Sequence, residues 1–96
     1  MTIKWSFLSE IDYYANIDYL EDEWSENEVL SFIENVEHIV NLLSVNTVLF
    51  SKTRYRDTFK VPVTKHITLF YSRNNDEIIL LRFWNNFQNP NDFRLL

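Results

Sequence analysis

Apolar positions in the first part of the chain change from a period of two to the period of a helix. Residues 2–7 alternate between apolar and polar side chains, which predicts a half-buried first strand. A helix is then predicted over residues 9–23, because Ser9 and Asp12 have the spacing of a capping motif at a helix start. The apolar face of this helix is formed by Tyr13, Ile17, Leu20 and Trp24.

A second helix is predicted to begin at Ser25 and to end near Ser44. Ser25 and Glu28 have the spacing of a capping box, in which each side chain bonds the other residue's amide. Because so few residues separate the two helices, we expect an antiparallel hairpin. His38 falls among polar positions and is expected to be a solvated surface residue. The apolar positions recur every three or four residues and are Val29, Phe32, Ile33, Val36, Val40 and Leu43.

The second half of the chain is predicted to form three strands. After a loop over residues 46–55, β-branched and aromatic side chains predict strands at residues 58–63, 67–73 and 77–84. Pro62 has no amide hydrogen, so it either lies at a sheet edge or ends the pairing. Asn74-Asn75-Asp76 predicts a tight hairpin turn with positive φ.

The predicted order is therefore strand, helix, helix, strand, strand, strand. It indicates an α+β fold with the helical hairpin on one face of a mainly antiparallel, four-stranded sheet. Ninety-six residues suffice for one modest core, so residues 1–96 are expected to form a single domain. The last strand is apolar on both sides, so its second face needs a cover. The alternatives are a second copy of the chain, a partner segment, or the tail residues Phe87, Phe93, Leu95 and Leu96.

Composition excludes several kinds of site. The chain has no cysteine, which excludes disulfides and thiolate chemistry, and with two histidines we expect no bound metal. It has no glycine, which excludes the usual glycine-rich phosphate loops, and we expect no cofactor. The N-terminal residues lack the pattern of a leader and no apolar run is long enough to span a bilayer, so the cytoplasm is the expected compartment.

Charge is divided unevenly between the two halves. Residues 1–50 carry one base, Lys4, and ten acids, whereas residues 51–96 carry eight bases and four acids, for formal charges of -9 and +4. This division indicates that the C-terminal half binds a polyanion or an acidic partner. The alternative is that the acids and bases lie on separate solvated faces.

Three stretches in this order of elements resemble the RelE/ParE superfamily of bacterial toxins. They are residues 19–25 between the helices, residues 63–71 with Thr64-Lys65-His66, and residues 83–90 with Phe83-Trp84-Asn85 and Gln88-Asn89-Pro90. The resemblance implies the toxin of a type II toxin-antitoxin pair, held inactive by a cognate antitoxin and associated with growth inhibition and plasmid stabilisation. It also implies one of two activities, mRNA cleavage on the ribosome (RelE) or poisoning of DNA gyrase (ParE).

The ParE-like activity, inhibition by binding a protein target such as gyrase, is the first expectation. The C-terminal aromatic residues Phe87 and Phe93 have no proton to transfer, His66 lies at a strand start, and the overall acidity disfavours entry into the ribosome. A RelE-like endoribonuclease and a degenerate member that only binds an antitoxin are the alternatives, so whether the chain is an enzyme stays open. If it is a nuclease, the resemblance implies as catalytic candidates Arg54, Arg56, Lys60 and Arg82.

The antitoxin is expected to dock over the basic sheet and residues 84–93. The further partners are gyrase or the ribosome, and neither a membrane nor sequence-specific DNA binding is expected. The alternative for each basic side chain is a solvated sheet face that keeps an edge strand soluble. The expected partner-binding residues are Lys65, His66, Arg73, Arg82, Trp84, Phe87 and Phe93.

Overall fold

The structure, a computed structural model, describes residues 1–45 and 50–95. Residues 46–49 of the predicted loop and the predicted covering residue Leu96 lie outside the described residues. The elements are β1 (Thr2–Trp5), α1 (Phe7–Glu23), α2 (Glu26–Ser44), β2 (Ser51–Lys52), β3 (Thr58–Pro62), β4 (Ile67–Arg73), β5 (Glu77–Asn85) and a short 3-10 helix (Pro90–Asp92). Neither α-helix combines the length and apolar character that crossing a bilayer requires.

Within the described residues the sheet has five strands, in the order β1-β5-β4-β3-β2. The α+β class is confirmed, but the prediction of four strands is wrong. The additional strand is β2, which lies inside the predicted loop and pairs with β3. The sheet is also mixed, since β1 runs parallel to β5 while the other pairs are antiparallel. A strand of two residues has no measurable period, and a strand's own pattern does not state the direction of its neighbour.

The core lies between the helices and one face of the sheet, which we call the inner face. From α2 it takes Phe32, Val36 and Leu43, all buried. The N-terminal amino group donates to the carbonyl of Ser44 at 2.7 Å, which ties the end of α2 to the start of β1. The buried side chains of the inner face alternate along three strands and are Phe59, Val61, Ile67, Leu69, Tyr71, Ile78, Leu80 and Phe83.

The two helix starts differ from each other in how well they were predicted. Ser25 is confirmed as the cap of α2, since its hydroxyl accepts from the Glu28 amide at 3.4 Å. The predicted start of α1 at Ser9 is wrong, because Ser6 is the cap and accepts from the Ser9 amide at 3.0 Å. The Ser6 hydroxyl also donates to the carbonyl of Leu81 at 3.0 Å, so a contact with β5 selects the earlier serine.

The turns follow the predicted positions but not always the predicted geometry. The pairing of β3 with β4 ends at Pro62, as one of the two readings of that proline required. The prediction of positive φ in the turn after β4 is wrong, because among the described residues only Asp57 has a positive φ, at 54°. Instead the side-chain oxygen of Asn74 accepts from the amides of Asp76 and Glu77 at 3.0 and 2.9 Å, which closes the turn without a left-handed residue.

A β-bulge changes the faces of β5. Phe70 pairs with Arg82 but the next residue, Tyr71, pairs with Leu80, so Leu81 is the extra residue. Trp84 is buried without belonging to the core cluster, and it lies on the opposite, outer face of the sheet. The prediction that the last strand is buried on both sides is therefore confirmed.

Candidate functional site

The connection from β2 to β3 is a compact basic turn. The Thr53 amide donates to the Thr58 carbonyl at 3.0 Å, and the Thr53 hydroxyl accepts from the Tyr55 amide at 3.0 Å. Asp57 takes the left-handed conformation, which aspartate tolerates better than most residues. These constraints hold the side chains of Arg54 and Arg56 exposed at the tip of the turn.

Two adjoining depressions share residues 52–55, and we call them together the basic groove. The first has a volume of about 590 Å³, and the second has a volume of about 460 Å³. Three of the four predicted catalytic candidates, Arg54, Arg56 and Lys60, line this groove. Its basic side chains are Lys52, Arg54, Arg56, Lys60 and Arg73, and the aromatic side chains of the second depression are Tyr55, Phe70, Trp84 and Phe93.

The positive charge of the groove is little neutralised. Within the described residues, Lys52, Arg54 and Lys60 have no carboxylate within 4.0 Å. Arg56 pairs with Asp57 at 3.7 Å, but both side chains are exposed, so the pair contributes little. The Arg54 guanidinium donates to the Tyr55 hydroxyl at 3.1 Å and lies 5.1 Å from that ring, and this hydrogen bond raises the pKa of Arg54. The groove therefore attracts anionic groups.

The C-terminal segment covers the outer face of the sheet beside the groove. The ring of Phe93 lies 4.8 Å from Phe70, 5.0 Å from Trp84 and 6.4 Å from Tyr55, measured between centroids. Trp84 is consequently only 7% exposed. Of the alternatives for the second sheet face, closure by the chain's own tail is observed for Phe93. Phe87 does not take part, since it is exposed and lies elsewhere.

Arg82 is withdrawn from the groove by an ion pair with Asp12 on α1. Its Nε lies 2.6 Å from Oδ2 and its Nη2 lies 3.0 Å from Oδ1, with both side chains nearly buried. Asp12 also accepts from the Phe83 amide at 3.0 Å, and Arg82 donates to the Arg94 carbonyl. A bidentate pair of this kind fixes geometry, so Arg82 joins α1, β5 and the tail. Arg82 was expected among the catalytic candidates and among the bases at the rim of the partner surface. In the structure its guanidinium is instead bound to Asp12.

A second group of expected partner-binding residues lies at the far end of the sheet. The ring of His66 sits between Phe87 at 4.5 Å and Trp24 at 5.1 Å, and Lys65 lies 6.0 Å from the Trp24 ring. The Asn86 amide donates to the His66 carbonyl at 2.7 Å. His66 therefore lies against the C-terminal tail, whereas its place at a strand start predicts a position away from the tail. The His66 Nε2 atom is buried and has no hydrogen-bond partner among the described residues.

The expected partner-binding residues do not form one continuous surface. Lys65, His66 and Phe87 gather before β4, while Arg73 ends that strand and lines the basic groove. Seven strand residues place these ends roughly 20 Å apart. Trp84 and Phe93 lie together on the outer face between them.

Sequence reasoning missed Lys52, Tyr55 and Asp12. Bases recur at every second position at Lys52, Arg54 and Arg56, which is the period of a strand. This spacing indicates that the three side chains lie along one edge of the sheet. Asp12 was assigned to a helix cap, and nothing local indicates a partner 70 residues away. Within the described residues, no three His, Cys, Asp or Glu side chains are grouped as metal ligands would be.

Comparison with solved structures finds the same architecture in bacterial toxins. A structure of the chromosomal ParDE TA system from P. aeruginosa is 16% identical, covers 88% of this chain and 95% of that chain, and has a TM-score of 0.72. A copper-bound mutant toxin from Helicobacter pylori is 14% identical over 88% and 93%, with a TM-score of 0.64. The YoeB dimer from Staphylococcus aureus is 11% identical over 86% and 93%, with a TM-score of 0.60.

No protein-family model and no curated protein matches the chain. At these identities the likeness concerns the fold, and it extends over nearly the whole of each toxin chain. The chain therefore shares the fold of these solved toxin structures.

Proposed function

We propose that the chain is the toxin of a type II toxin-antitoxin pair and that it inhibits growth in the ParE-like way, by binding a protein target. DNA gyrase is the expected target, and a cognate antitoxin neutralises the toxin. The shared fold supports the toxin role. The choice of activity rests on the side chains of the basic groove.

The observation that carries the ParE-like proposal is the separation of charge from proton-transfer groups. The described lining of the basic groove holds five bases but no histidine. Arg82 is occupied by Asp12, and the buried Nε2 atom of His66 lies at the other end of the sheet. A surface that offers charge but no imidazole to serve as both acid and base favours binding over bond cleavage.

The antitoxin is proposed to reach the same groove with an acidic, partly apolar segment. Lys52, Arg54 and Lys60 would meet its carboxylates at the rim, and Phe93, whose ring covers Trp84, would meet its apolar side chains. Rim charges mainly speed association, whereas the aromatic contacts mainly slow release. Because Lys65, His66 and Phe87 are at the far end, contact with them requires a segment that continues along the sheet.

A RelE-like endoribonuclease is the second candidate, and Tyr55 favours it. The Tyr55 hydroxyl accepts a hydrogen bond from Arg54 at 3.1 Å and lines the depression that Lys60 also lines. A phenol beside two cations could exchange a proton with an RNA ribose while the bases stabilise the phosphate. This candidate does not need His66 or Arg82.

Controlled induction of the chain in a bacterial host distinguishes the candidates. The ParE-like proposal expects growth arrest and a rising DNA-damage reporter, with mRNA 5′ ends unchanged. Codon-specific mRNA cuts within minutes would instead identify the nuclease, and Tyr55→Phe should then reduce cleavage by about 10²-fold. Normal growth at a verified protein level would exclude both toxic activities and would identify a degenerate member that only binds an antitoxin.

A groove variant and a control variant at a base elsewhere on the sheet test the groove itself. Arg54→Gln with Lys60→Gln removes two groove charges, whereas Lys4→Gln removes one on β1, where Lys4 pairs with Glu77 at 3.1 Å. Growth arrest should weaken in the groove variant and persist in the Lys4→Gln variant. Equal arrest in both would show that the basic groove does not contact the target.

A further inference from the structure

Helix α1 has a second apolar face that the fold does not use. Phe7, Ile11 and Tyr14 are 76%, 48% and 66% exposed. They are spaced by four and three residues, so they lie along one side of the helix, and we call them the α1 stripe. The buried residues of α1, Ser9, Asn16 and Leu20, lie on the opposite side.

The α1 stripe is too large and too regular to be scattered surface apolarity. Three such side chains at these exposures present on the order of 350 Å², which is in the range where a patch on a monomer is often functional. The stripe is separate from the basic groove, because none of the described residues of α1 lines either depression of the groove. It therefore serves a different partner segment or a different partner.

The charged side chains that α1 itself places near the stripe are all acidic. Glu10, Asp18, Glu21 and Asp22 are exposed on the same helix, and α1 contains no lysine or arginine. The acids near its C-terminus also oppose the helix dipole, whose negative end lies there. A partner that brought cations to this end would relieve both repulsions.

We infer that the α1 stripe binds an amphipathic basic helix of another protein. Such a helix would present apolar side chains at positions i, i+4 and i+7, flanked by lysines and arginines. A second copy of the chain is disfavoured, since two α1 helices would bring only acids together. A membrane is disfavoured too, because anionic lipids repel acidic helix faces.

The test uses designed helical peptides as probes for the full chain. One peptide carries leucines in a stripe with flanking lysines, a second has the same composition in scrambled order, and a third replaces every lysine by glutamate. Fluorescence anisotropy of labelled peptide should show saturable one-to-one binding of the first peptide alone. Binding should weaken as salt increases, because the flanking contacts are electrostatic.

Matched variants locate the binding on α1. Ile11→Asp should weaken binding at least tenfold, whereas Leu30→Asp, an exposed leucine of α2, should leave it unchanged. Amide NMR shifts of the unmodified chain give a readout independent of variant folding and should change at residues 7–18, not at residues 52–60. Absence of saturable binding, equal loss in both variants, or a dimer in sedimentation that Ile11→Asp dissociates would overturn the inference.

Discussion

The two faces of the sheet are closed in different ways. The inner face is sealed by two helices and by side chains that alternate along three strands, with Leu69, Leu80 and Phe83 almost inaccessible to water. The outer face is closed near Trp84 mainly by one ring, Phe93, from a segment with little other structure. The inner face therefore maintains the fold, whereas we expect the outer face to change its cover while the fold persists.

Charge follows the same division. The core cluster that the described residues form at the inner face contains no lysine or arginine, whereas the outer face adjoins Lys52, Arg54 and Lys60, which have no carboxylate partner among the described residues. An incoming acidic segment could therefore gain electrostatic contacts at the outer face without disturbing the core. This is why the proposed antitoxin contacts are placed there.

The largest expected effect compares one phenylalanine from each face. Phe83 packs against Trp5, Tyr13 and Phe32, with centroids 5.4, 5.8 and 6.0 Å away, so Phe83→Ala should cost about 3–5 kcal/mol of unfolding free energy. Phe93→Ala removes a half-buried ring and should cost about 1 kcal/mol. Urea denaturation measures both.

The two variants should also differ in tryptophan fluorescence. Phe93→Ala uncovers Trp84, so the emission of the folded variant should shift to longer wavelength. If Phe93→Ala were as destabilising as Phe83→Ala, the tail would be part of the core and the contrast between the two faces would be wrong.

The next effect concerns Asp12, which joins the two sides through Arg82. Asp12→Ala leaves a nearly buried guanidinium and the Phe83 amide without their acceptor, and should cost about 3 kcal/mol. Glu10→Ala is the matched control, since Glu10 is an exposed acid on the same helix and should change stability little. Asp12→Leu with Arg82→Met should recover part of the loss, because it leaves no unpaired charge but still removes the acceptor of the Phe83 amide. A double variant as unstable as Asp12→Ala would show that the stranded guanidinium does not account for the loss.

Sequence periodicity predicted the elements that bury one regular face. The residues of β4 and the extent of α2 agree with the prediction, because seven and nineteen residues show their periods clearly. The two-residue β2 and the bulge at Leu81 were not predictable, since neither changes a local pattern enough to be recognised. The parallel pairing of β1 depends on where β5 is placed beside it by the intervening elements, and the sequence of β1 itself does not specify this.

The candidate site was predicted less completely than the fold. Arg54, Arg56 and Lys60 do lie together, because they share one hairpin and its strand. Arg82 and His66 were misplaced, since their neighbours Asp12 and Asn86 are brought to them by tertiary packing. Phe7, Ile11 and Tyr14 have the spacing of one helix face, but the α1 stripe was not predicted, because another apolar face of this helix had already been assigned to the core.

The smallest expected effect compares the two helix caps, one tied to the sheet and one solvated. Ser25 makes one long bond of 3.4 Å at an exposed position, so Ser25→Ala should cost about 1 kcal/mol or slightly less. Ser6 accepts from the Ser9 amide and donates to the Leu81 carbonyl, both at 3.0 Å, so Ser6→Ala should cost more, about 2 kcal/mol. Denaturation midpoints of the two variants, with Ser31→Ala on exposed α2 surface as control, give the comparison. Equal midpoints for Ser6→Ala and Ser25→Ala would mean that the contact between Ser6 and β5 adds nothing to the cap, and that the sheet does not select where α1 begins.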